Sequence, residues 1–151
     1  MPQLVQARPN DPEVAALIDA HFLLMRAQSP PESCHVFSAD ALAGPAIRLY
    51  ALRDKSTVVA IGAIRVFGTQ GELKSMHTES RLRGQGYGRV LLNALIAQAR
   101  DLNLTQLLLE TGSGAEHAPA RNLYASEGFA ECPPFGDYVH DRLSLFMARD
   151  L

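Results

Sequence analysis

Tryptophan is absent from this chain, and cysteine occurs only twice, as Cys34 and Cys132. Two cysteines cannot build a disulfide framework, and no Cys-x-x-Cys pair offers a zinc spacing. Two free thiols in a reducing compartment are therefore expected. The five histidines are scattered without paired spacing, so no metal site is expected either. An excess of positive charge is also missing. Fourteen Lys and Arg face sixteen Asp and Glu, for a net charge of −2. A nucleic-acid binder would want a basic face, so no nucleic-acid partner is expected. No apolar run approaches the ~18 residues of a membrane-spanning helix. Met1 to Arg8 lacks the apolar stretch of a secretory signal. Repeats and low-complexity tracts are absent too. By elimination the sequence predicts a cytoplasmic protein that does not engage a membrane.

What remains is ordinary globular material: 151 residues, 47% hydrophobic and 20% charged. That length suits one domain spanning 1–151, able to bury roughly 70% of its unfolded surface. Gln3 to Ala7 reads as a short strand. Asn10-Asp11-Pro12-Glu13 is a helix start, and Val14, Leu17, Ile18, His21, Phe22 and Met25 continue it at helical spacing to about Arg26. Ser38 to Leu42 suggests a short second helix, stopped by Gly44-Pro45. Strands follow at Ile47–Leu52, Thr57–Phe67 and Glu72–Thr78, joined by turns short enough for an antiparallel meander. Val90, Leu91, Leu92, Leu95, Ile96, Ala99 and Leu102 form the strongest helical stripe. Gln106–Leu109 is a short buried strand, expected parallel to the one before the helix. A helix from Pro119 to Glu127 and strands at Phe129–Cys132 and Leu143–Met147 complete the chain. This order predicts an α/β (α+β) domain: a mixed, mostly antiparallel sheet of six to seven strands with helices on both faces.

One stretch carries chemistry. The strand ending at Thr78 feeds a glycine-rich turn, Arg83-Gly84-Gln85-Gly86-Tyr87-Gly88-Arg89, which feeds the long helix. Glycine permits positive φ and close approach of a ligand to the backbone. The first helical turn has N–H groups without partners and sits at the positive end of the dipole. Arg83 and Arg89 bracket the turn with positive charge. Such a cradle suits a phosphate or pyrophosphate. It is neither a Walker loop nor a dinucleotide fingerprint, because the required glycine and lysine positions are not filled.

Arg83, Gly86 and Gly88, directly after a strand and before a helix, resemble the acyl-CoA signature of the GNAT superfamily of N-acetyltransferases. Ala120 to Phe129, with Leu123-Tyr124 on a helix and Gly128-Phe129 entering a strand, resembles that family's closing motif. The order of elements also resembles the family fold. The resemblance implies acetyl-CoA as acyl donor, with its pyrophosphate on the N–H groups from Arg83 through Gly84, Gln85, Gly86, Tyr87 and Gly88 to Arg89. It implies that the pantetheine arm pairs like an extra strand with the backbone near Met76 and Thr78, where the family's sheet splays. The implied reaction is acetyl transfer to a primary amine of a small molecule or amino acid, by direct attack of the amine on the thioester. A homodimer is a common arrangement in the family.

Tyr124 stands at the family's usual general-acid position. A phenol, with a reference pKa of about 10, is protonated at neutral pH and can donate to the departing thiolate. The proton acceptor is left open. Glu72 lies at the spacing from Arg83 at which the histone acetyltransferase branch carries its base. His77 has a suitable reference pKa, but strict strand alternation turns it to the face opposite Glu72, unless a bulge intervenes. Glu110 is a third candidate, or a contact for a cationic acceptor. Loss of the proton to solvent is a fourth route. Glu32, Asp137 and Tyr138 lie in segments that wall the acceptor cleft in the family, 26–45 and 110–142 here. Where the family commonly has an Asn ahead of the motif tyrosine, this chain has His117. A non-catalytic acyl-CoA sensor is the alternative function, and a small interaction domain that binds no CoA is a third.

Overall fold

Strand β3 (Thr57–Phe67) sets the architecture, and the computed structural model describes all of residues 1–151 around it. From Val58 to Ile64 every residue of β3 is buried, because the strand is covered on both faces. Its neighbours are β2 (Ile47–Asp54) and β4 (Gln70–Thr78), both antiparallel to it. Outside β2 lies β1 (Gln3–Gln6), and beyond β4 come β5 (Gln106–Gly112), β7 (Ser144–Asp150) and β6 (Ala130–Cys132). The result is one seven-stranded sheet in the order β1-β2-β3-β4-β5-β7-β6, antiparallel except for the β4–β5 pair. The expected mixed sheet is therefore the observed one.

Two apolar layers hold it. Helix α1 (Pro12–Gln28) and the short α2 (Ala39–Leu42) cover one face, where Val14, Leu17, Ile18 and Leu42 meet Leu49, Val58, Ile61 and Ala63. Helix α3 (Tyr87–Asp101) covers the other, burying Leu91, Leu92, Leu95, Ile96 and Ala99 against Leu52, Ile64, Leu73 and Leu107. Val90, expected in this stripe, is exposed. Gly62 is what lets α3 come so near, because a Cβ there would stand 2.8 Å from Leu95. Helix α4 (Ala118–Ser126) packs beside this layer through Leu123 and Tyr124.

The expected elements all form, with shifted ends. Strand β5 runs on to Gly112 and β7 to Asp150, because the two pair along their whole length from Gln106↔Asp150 to Gly112↔Ser144. Pairing of this kind extends a strand past its apolar run, which sequence periodicity does not register.

Two irregularities in β4 position the site. First, its parallel pairing with β5 stops at Leu73↔Leu109, so residues 74–78 pair on one edge only, with β3. Second, the β3 register slips: Ile61 faces His77 whereas Ala63 faces Lys74. One extra residue of β4 is bulged out there, and Ser75 takes the left-handed conformation at φ 57°.

Candidate active site

The glycine-rich turn is an open cradle. Gly84 and Gly86 have φ of 79° and 88°, and a Cβ on either would meet nothing within 4 Å. Gly86 caps α3 in the left-handed conformation without any side-chain cap, so the first-turn N–H groups face outward unpartnered. Arg83 is exposed beside it, with Nε 3.4 Å from the Thr78 carbonyl oxygen and Nη2 3.4 Å from His77 Nε2. Arg89 is different from expectation. Its guanidinium donates to Glu127 and to Ser126, so α4 holds that charge to one side and only its backbone N–H faces the cradle. Tyr87 turns away from the cradle too, donating its hydroxyl to Asp54 at 2.5 Å.

A cleft of about 190 Å³ opens where β4 and β5 part. Lys74, Ser75 and Met76 form one wall, Glu110, Thr111 and Gly112 the other, and Tyr124 and His117 reach in from the α4 side. His21 of α1 and the segment Ser33–Val36 close the top. Burial pushes the Tyr124 phenol up to about 12, so it stays protonated throughout the physiological range. Ser75 Oγ is buried with no hydrogen-bond partner. A buried orphan hydroxyl on a strained residue, beside a strand edge with free main-chain groups, suits a ligand that carries amides. The cradle at the end of the same strand suits that ligand's anionic end.

The floor of the cleft is charged. Glu72 is 1% exposed; its Oε1 accepts from Arg65 Nε at 3.0 Å and its Oε2 from the Tyr138 hydroxyl at 2.6 Å and Lys74 Nζ at 3.5 Å. Lys74, itself buried, also donates to the His35 carbonyl oxygen and lies 4.1 Å from the centre of the Phe37 ring. Desolvation lowers its pKa, opposed by Glu72. The Tyr138 phenol is pushed up by burial and then by Glu72. Across the cleft, Glu110 Oε2 is 2.7 Å from His35 Nδ1 and accepts from Ser144 Oγ at 2.8 Å. A further pair, His21 and His77, meets through Nδ1 atoms 3.1 Å apart. Burial and neighbouring positive charge hold His21 down to about 3 and His77 down to about 4, so both are neutral.

A glycine cradle, a splayed parallel pair and a half-buried tyrosine thus converge on one cleft. The sequence profile of the acetyltransferase (GNAT) family matches residues 14–129. The chain belongs to the GNAT family. A Bacillus subtilis relative, the uncharacterised N-acetyltransferase YsnE, is 37% identical over 140 residues, covering 92% of this chain and 93% of that protein. An IAA acetyltransferase of Azospirillum brasilense is 39% identical over 155 residues, covering 100% of both. Among solved structures, a candidate acyl-CoA N-acyltransferase from Klebsiella pneumoniae superposes with a TM-score of 0.80 at 31% identity, covering 100% of this chain and 98% of that one. The fold is shared with PaiA N-acetyltransferase of Thermoplasma acidophilum, solved with coenzyme A, at a TM-score of 0.76 and 11% identity over 100% of this chain and 99% of that one.

Within this GNAT domain several expectations need correction. His77 does not face away from Glu72. The bulge at Ser75 adds one residue to the count, so Glu72, Lys74 and His77 share the α1 face while Leu73 and Met76 pack toward α3. His77 nevertheless reaches the cleft only through His21. Glu32 sits exposed on a 3₁₀ turn, Pro31–Ser33, and Asp137 is exposed in its loop; neither lines the cleft, because loop acids stay with solvent. Tyr138 lies under the cleft, bonded to its charged floor. His21, Lys74 and Ser75 carry no site expectation from the sequence, and His35 falls within the expected 26–45 wall without a role of its own. For Lys74 a signal existed, since a Glu-x-Lys pair in a strand reading as buried puts two charges on one face.

Proposed function

We propose that this protein transfers an acetyl group from acetyl-CoA to a primary amine of a small molecule or amino acid. The observation that carries the reading is the end of β4–β5 pairing at Leu73↔Leu109, with Tyr124 set in the gap that follows. The free edge of β4 at Met76 and Thr78 holds the pantetheine arm as an added strand. The N–H groups from Arg83 to Arg89, with the Arg83 side chain, hold the pyrophosphate. Bound acetyl-CoA supplies a thioester carbonyl for direct attack by the amine. Tyr124 gives a proton to the departing sulfur, and its raised pKa keeps that proton available. Glu72 anchors the floor rather than taking a proton, since both its oxygens are engaged by Arg65, Tyr138 and Lys74. Glu110, in the cleft wall, favours a cationic acceptor. The size of the cleft favours a small molecule over a protein tail.

The test is incubation with acetyl-CoA and a panel of amino acids and alkylamines, following thiol release above the background of Cys34 and Cys132. IAA joins the panel because an acetyltransferase named for it is 39% identical. Release that depends on particular amines supports the reading and defines the acceptor. Binding of acetyl-CoA without release across the panel favours a sensor. Absence of binding overturns both.

A further inference from the structure

We infer that His35, oriented by Glu110, takes the proton from the acceptor's ammonium; this rests on the acetyltransferase reading above. An aliphatic amine is mostly ammonium at neutral pH and has no lone pair until a proton leaves. The cleft must therefore hold a proton acceptor with a free lone pair. A carboxylate only accepts hydrogen bonds, so the 2.7 Å contact with Glu110 Oε2 puts the hydrogen of His35 on Nδ1. Nε2 then carries the lone pair. The ring is fixed from three directions: Glu110 on Nδ1, Lys74 Nζ on the backbone oxygen at 3.3 Å, and the Tyr138 ring edge-on at 5.2 Å. Glu110 is fixed in turn by Ser144 Oγ. A base held by a third group, beside the acid Tyr124 in one cleft, is the arrangement that proton transfer needs.

The other candidates are engaged. Glu72 accepts from three donors. His21 and His77 are bonded to each other and too weakly basic at about 3 and 4. His35 is surrounded by charge of both signs: Glu110 on β5, Lys74 with Glu72 behind it on β4, the Tyr138 hydroxyl, and Asp141, whose carboxyl is held low by Ser33, by the Leu143 N–H and by His35 itself. Glu110 is the nearest of these charges and stabilises the imidazolium that forms. The proton count closes without another reactant. Two protons leave nitrogen per transfer. The first passes to His35 Nε2 before attack and on to water. The second leaves after the C–N bond forms and the C–S bond breaks, and replaces through water the proton that Tyr124 gives to sulfur.

The experiment uses acetyl-CoA with whichever panel amine the wild type turns over fastest. His35→Gln should lower kcat/KM about 100-fold at pH 7, and the deficit should shrink steadily as pH rises toward the amine's own pKa. KM for acetyl-CoA should not move. A deficit equal at every pH, or no deficit, overturns the role while leaving the acetyltransferase reading standing. A wild type inactive toward the whole panel overturns both. Glu110→Gln keeps the shape and removes the charge. Nitrogen-15 NMR of the neutral ring should place the hydrogen of His35 on Nδ1 in the wild type and shift the balance toward the Nε2–H tautomer in this variant. A wild-type ring with its hydrogen on Nε2, or a balance the variant leaves unchanged, overturns the pairing whatever the activity shows.

Discussion

The two halves of the site are built in opposite ways. The cradle at residues 83–89 is made of backbone: glycines at positive φ, an uncapped helix start, open space and few side-chain contacts. The cleft between β4 and β5 is made of side chains drawn from α1, the 29–38 segment, β4, β5, α4 and β7, and its floor is a buried set of charges. Backbone recognition asks for one local conformation and suits a ligand that every family member shares. Side-chain recognition asks for distant residues to arrive together and can be changed piece by piece.

That contrast is open to attack at several points. The largest expected effect is on folding. Glu72→Ala leaves Lys74 buried without its carboxylate and should cost about 3–5 kcal/mol, read by urea unfolding. A cost near zero would mean that the floor is not held by its charges. Gly86→Glu should cost the fold only about 1 kcal/mol, because the surrounding space is open. Yet it should weaken acetyl-CoA binding by at least about 100-fold, by straining φ and placing a carboxylate at the phosphate site. Calorimetry checks this, and retained affinity would place the pyrophosphate elsewhere. Tyr124→Phe should leave that affinity intact and lower kcat about 100-fold. Unchanged turnover would remove the acid from the scheme.

The smallest effect concerns pH. His21 and His77 resist protonation when folded, to about 3 and 4, whereas an unfolded histidine accepts a proton near 6.5. Below that value the unfolded chain binds more protons. Stability is therefore full above pH 6.5 and declines as pH falls toward 4, by on the order of 1 kcal/mol per pH unit from each histidine. Thermal melts between pH 7 and 4.5 should follow this slope, and His21→Gln should flatten it.

The same contrast explains what the sequence disclosed. The cradle was legible because glycine spacing and a helix start are local properties, and Gly84, Gly86 and Gly88 stand within one turn. The fold was legible because α3 and β3 carry strong periodic or continuous apolar runs. The cleft was not, because His35 and Glu110 are 75 residues apart in the chain. Periodicity carries no information on such a meeting. Ser75 hid for another reason. Serine is not a residue that announces a left-handed conformation, so the bulge leaves no mark in the sequence, and only strict alternation turns His77 to the wrong face.

The bulge has a consequence for how this protein can change. Because Ser75 is the extra residue of β4, deleting it would return the strand to strict alternation and leave Lys74, Met76, His77 and Thr78 on the faces they hold now. The same deletion at a neighbouring position would instead turn a flanking side chain to the other face, as losing Leu73 would send Lys74 into the α3 layer. One residue of β4 is thus spare to the pairing, and what its removal takes away is the buried hydroxyl and the bend at the free strand edge.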